Sequence, residues 1–119
     1  MPKPQRMQVS RKAGFKLQEA SMALNGLPAK LVTRPGPWGN PFSIDEVAAK
    51  YKLDRAAAQA KAVAMAEEWL RGTLDKKQSP GPPPSREVIR TELAGHNLAC
   101  WCKPGSPCHA NVLIELANG

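Results

Sequence analysis

No stretch of this chain approaches the roughly 18 consecutive apolar residues of a membrane-spanning helix. Its first residues also lack the apolar core of a secretory signal. A cytoplasmic protein with no membrane partner is the expectation. Acid is missing from all of residues 1–16, where Lys3, Arg6, Arg11, Lys12 and Lys16 stand unopposed. Cysteine is scarce: Cys100, Cys102 and Cys108 are the only three in 119 residues. An odd number crowded into so short a span makes a poor disulfide framework. It suits a reactive or metal-ligating group better. No internal repeat is present.

What is there describes one globular domain. The length fits a single core, and 42% hydrophobic residues are too many for a disordered chain. The formal charge is +7. Most of that surplus is the five bases of residues 1–16, and the rest of the chain is nearly balanced. The division expected is a basic N-terminal arm over residues 1–16, joined to a single domain over residues 7–119. Such an arm attracts phosphates, and nucleic acid is a natural partner for it; a solvated leader is the bland alternative.

The element pattern alternates. Residues 7–10, 30–33 and 97–101 read as strands. Residues 13–26 read as a long loop or a poorly formed helix. Ser43-Ile-Asp-Glu46 is a capping box opening a helix to about Tyr51. Asp54 caps a second helix, residues 55–71, whose Ala62, Met65, Ala66, Trp69 and Leu70 make one apolar face, with Gly72 as its stop. The Pro-rich residues 75–84 are a surface loop. Ser85 caps a short helix ended by Gly95, and residues 108–117 form the last helix. Helical segments between strands favour parallel pairing. The expectation is a small single-domain α/β fold, Rossmann-like, with a short, mainly parallel sheet of three or four strands and helices packed on it. Ligands of such sheets sit beyond the carboxyl ends of the strands. Both irregular loops, residues 34–42 and 102–108, follow predicted strands, so they are expected to meet there.

Two segments carry chemistry. In Ser106-Pro-Cys-His109, Ser106 is a good N-cap and Pro107 a good first helical residue. That places Cys108 and His109 in the first turn, where unpaired amides and the helix dipole favour an anion and a thiolate. Cys108 and His109 are therefore the candidate catalytic residues; a small buried thiol beside a capping imidazole is the bland reading. The loop Arg34-Pro-Gly-Pro-Trp-Gly-Asn-Pro-Phe42 offers a cation in Arg34, a stacking surface in Trp38, close backbone approach at Gly36 and Gly39, and an amide at Asn40 to read a base edge. The bland reading is a rigid turn with Trp38 plugging the core. Candidate ligand-binding residues are Arg34, Trp38, Gly39, Asn40, Arg11, Cys100 and Cys102. Cys100, Cys102, Cys108 and His109 also supply four soft ligands of the kind zinc accepts. Their spacing argues against it: the usual two-residue gap is missing, and adjacent Cys108 and His109 cannot easily reach one ion. No metal and no cofactor are expected.

These segments together resemble the phage and bacterial family catalogued as domain of unknown function 4326. Three blocks carry the resemblance: Arg11-Lys-Ala-Gly-Phe-Lys16, the loop from Arg34 to Phe42, and the segment from Leu93 to Asn118 containing Cys-Trp-Cys and Pro-Cys-His-Ala. Phe15 stands where a Trp is common in that family, His96 where a Lys is usual, and Asn111 where an Asp usually follows Cys-His-Ala. The resemblance strengthens the fold and the site and supplies no reaction. The function expected is binding of a phosphate-bearing ligand, a nucleotide or a nucleic-acid end. The phosphate would lie on Arg34 and the helix-start amides, and the base on Trp38 and Asn40. A nucleic-acid-binding accessory protein and a zinc-stapled interaction module are the competing readings. The oligomeric state is open.

Overall fold

The computed structural model describes residues 3–33, 38–102 and 108–119. Arg34, Gly36, Ser106 and Pro107, four residues of the sequence argument, lie outside the described residues.

Three short parallel strands make the sheet, in the order β1-β3-β2. They are β1 (Arg6–Gln8), β2 (Ala29–Leu31) and β3 (Asn97–Cys100). Every residue of β3 is buried, as expected of the strand with neighbours on both edges. Met7 pairs with Ala99 on one side and Lys30 with Leu98 on the other. The first strand thus begins inside the basic segment: Arg6 belongs to the sheet, and the segment is partly built into the domain it precedes.

Among the described residues, five α-helices accompany this sheet. The first, α1 (Leu17–Asn25), corrects the reading of residues 13–26 as a loop or a poorly formed helix. It ends in a regular left-handed cap at Gly26, φ 77°, a backbone shape that glycine adopts without penalty. Its apolar stripe is weak because Ser21 is its one buried residue. It docks by polar bonds instead. The Gln18 amide receives the Ala29 N–H and donates to the Ala29 carbonyl, both at 2.9 Å, which closes the outer edge of β2 much as another strand would. Ser21 Oγ donates to the Leu27 carbonyl at 2.6 Å.

The next two helices follow their caps. Ser43 accepts the Glu46 amide to start α2 (Ile44–Tyr51), and Asp54 accepts the Ala57 amide at 2.8 Å to start α3 (Arg55–Arg71). Gly72, φ 81°, stops α3. Ala58, Ala62 and Met65 of α3 bury against Val47 of α2, giving a small second core. Trp69, expected in the core, is half-buried, and its indole N–H holds the Pro-rich loop at the Gly81 carbonyl, 2.8 Å away. That loop contains one turn of 3-10 helix, Lys76–Gln78. The main core joins β3 to α4 (Arg86–Leu93) and α5 (His109–Asn118), with Val32, Ile89, Leu93, Leu98, Leu113 and Leu116 at its centre. The molecule is a small α/β domain, as expected.

Candidate functional site

A cavity of about 320 Å³ opens between the two cores. Val32 and Thr33, just past β2, line one wall, and Cys100, Trp101 and Cys102, at the end of β3, line the next. Ile44 and Asp45 of α2, Arg55, Gln59, Ala62 and Val63 of α3, and Asn40, Phe42, Cys108 and His109 complete it. It lies beyond the carboxyl ends of parallel strands, where α/β sheets place their ligands.

Its floor is sulfur. Cys100 leaves β3 buried, Cys102 sits half-buried two residues on, and Cys108 returns buried at the start of α5. The three Sγ atoms all lie within 4.8 Å of one another, and Cys100 and Cys108 are 3.2 Å apart. The two buried thiols share a hydrogen bond that splits their acidities. It raises the Cys100 thiol, with burial adding to the effect. The same bond lowers Cys108 well below an ordinary thiol, helped by His109 and the Ala110 amide and opposed by burial. Burial, then the Cys108 neighbour, pushes Cys102 up to about 11.

Helix α5 starts later than the sequence suggests. Cys108 itself is the N-cap, extended at φ −153° and ψ 136°, and His109 is the first helical residue. The expectation that Cys108 lies inside the first turn is therefore corrected. The sulfur of this extended Cys108 lies against Cys100 at the end of β3.

His109 ties the two irregular segments together. Its Nε2 lies 3.0 Å from the Trp38 carbonyl oxygen and its Nδ1 4.0 Å from Cys108 Sγ. A carbonyl only accepts, so Nε2 donates in that bond. The loop from Trp38 to Phe42 and the start of α5 are thus neighbours, as their positions after β2 and β3 implied.

The other candidates fall in different places. Asn40 lines the cavity, but its amide is engaged, donating to the Ala62 carbonyl at 3.2 Å and accepting from the Phe42 amide at 2.8 Å. It holds the loop onto α3. Trp38 and Gly39 line a separate, smaller pocket together with His109, Ala66, Trp69, Leu70 and Leu113. Trp38 packs on the main core rather than lining the cavity, whose aromatic residues are Phe42 and Trp101. Arg11 stacks over the Trp101 ring, 4.9 Å from its centroid, bringing a basic residue to the cavity rim. Sequence reasoning missed Arg55 and Gln59. Both sit on α3, where a polar residue off the apolar stripe looks like ordinary solvated surface.

The family model described as Domain of unknown function (DUF4326) matches residues 7–119. The chain belongs to this family. No curated protein and no solved structure gives a significant match.

Proposed function

We propose that this DUF4326 protein binds a phosphate-bearing small molecule, a nucleotide first, in the cavity at the end of β2 and β3. The observation that carries the reading is the composition of that cavity. Arg55 brings a guanidinium, the phosphate-binding group of choice. Phe42 and Trp101 offer aromatic faces to a base. The volume of about 320 Å³ falls at the small end of ligand sites, which suits a mononucleotide. Arg55 now pairs with Asp45 at 3.1 Å, and both side chains are exposed, so a phosphate can replace the carboxylate at little cost. Any covalent step would fall to Cys108 and His109, which line the same cavity.

Calorimetric or NMR titration of inorganic phosphate and of nucleoside mono- and diphosphates tests this. The parent should bind at least one of them, with shifts centred on α3 and on Trp101. Arg55→Ala should weaken binding by about tenfold or more, the value of a hydrogen bond to a charged group, and leave the fold intact. Binding to none of them, or equal binding by parent and Arg55→Ala, would overturn the proposal.

A further inference from the structure

We propose that Cys100, Cys102 and Cys108 form a site for one thiophilic metal ion, zinc in the first instance, whose fourth coordination position faces the cavity. The argument starts from distance. Zinc–sulfur bonds of 2.3 Å in a tetrahedron set their sulfurs about 3.8 Å apart. Here the three sulfurs lie within 4.8 Å of one another, with the closest pair at 3.2 Å. Small side-chain rotations bring all three to the required spacing.

The fold answers the objection drawn from spacing. One ligand ends the central strand, a second follows two residues later, and the third is the N-cap of α5, so the approach of the sulfurs in space matters and their separation along the chain does not. A helix start also favours the negative charge that a thiolate ligand carries. The donor set is chemically selective. Three sulfurs with no carboxylate among them favour zinc or copper(I) over magnesium or calcium.

Among the described residues, no His, Asp or Glu joins the three sulfurs at that spacing. His109 Nδ1 comes within 4.0 Å of Cys108 Sγ, while its Nε2 is fastened to the Trp38 carbonyl. All three cysteines line the cavity, so an ion on them would meet whatever enters it. Three protein ligands with one open position are the arrangement of zinc sites that handle a substrate rather than staple a fold. In the loaded protein Cys108 is a ligand and is no longer the nucleophile. The proposal goes beyond the ligand-binding reading and does not depend on it.

The test uses the whole chain, reduced, stripped with chelator and reloaded with zinc or cobalt(II) in the absence of nucleotide. Elemental analysis should find one zinc per chain, and cobalt should give an intense thiolate-to-metal charge-transfer band. Competition with a chromophoric chelator gives the affinity. Cys102→Ser removes the half-buried ligand, and circular dichroism checks its fold. It should weaken zinc binding by on the order of 100-fold or more, beyond what loss of a residue behind the ligands does. His109→Gln should keep one zinc per chain. If the parent takes up neither zinc nor cobalt, or folded Cys102→Ser holds zinc as tightly as the parent, the site is refuted. Should Cys102→Ser fail to fold, the cobalt spectrum and chelator competition of the parent decide alone. Loss of zinc from His109→Gln as complete as from Cys102→Ser would overturn the open fourth position.

Discussion

Asn97 opens the central strand with its amide wholly buried among polar partners. Its Nδ2 donates to Ser21 Oγ at 2.7 Å and to Asn25 Oδ1 at 2.8 Å, and its Oδ1 accepts from Asn25 Nδ2 and the Gln5 amide, both at 2.9 Å. One side chain thereby fixes β3, the approach to β1 and the end of α1. Asn97→Leu keeps much of the volume and strands these partners without hydrogen bonds. We predict a loss of about 3 kcal/mol, since each buried unsatisfied group costs about 1–3 kcal/mol, seen as a lower denaturant midpoint; an unchanged midpoint would contradict the role. The sequence marks residues 97–101 as a buried strand but hides this hub. Its partners lie up to 92 residues away, and nothing local to Asn97 names them. The cysteines teach the same lesson. Their spacing is visible in the sequence, and the approach of the three sulfurs to within 4.8 Å is a property of the fold that brings the start of α5 to the end of β3.

Helices with side-chain N-caps are readable in the sequence, and the one with neither a side-chain N-cap nor a strong apolar stripe is not. Asp54 and Gly72 mark both ends of α3, and the structure keeps the expected bounds, Arg55–Arg71. The first helix has Lys16 at its N-cap with no side-chain bond, and its anchoring glutamine grips a strand that no helical periodicity reveals. The cap of α3 has an additional task, because Arg55 and Gln59, both cavity residues, stand in its first turns. Asp54→Ala should therefore lower stability by about 1 kcal/mol, the usual value of an N-cap. Thermal unfolding measures this, and a variant that melts with the parent would show the cap to be idle.

Across the whole molecule, the sheet and the α2–α3 pair keep separate cores, with the cavity in the cleft between them. The basic charge at the beginning of the chain belongs partly to the first of these, because β1 is an edge of the sheet. Deleting residues 1–8 removes that edge together with its charge. We expect the shortened chain to melt well below the parent. Lys12→Gln combined with Lys16→Gln, two exposed changes, should stay within about 0.5 kcal/mol of it. A deletion variant as stable as the parent would show the strand to be dispensable. The order β1-β3-β2 also governs time. Neither outer strand pairs with the other, and each waits for a partner that the ribosome delivers only after residue 96. Until then α1, α2 and α3 can form locally, but the first third of the chain has no sheet to join. Contacts of such long range are slow to close, so for most of its synthesis the nascent chain carries two unpaired strand edges. A chaperone that shields extended segments would find its substrate there.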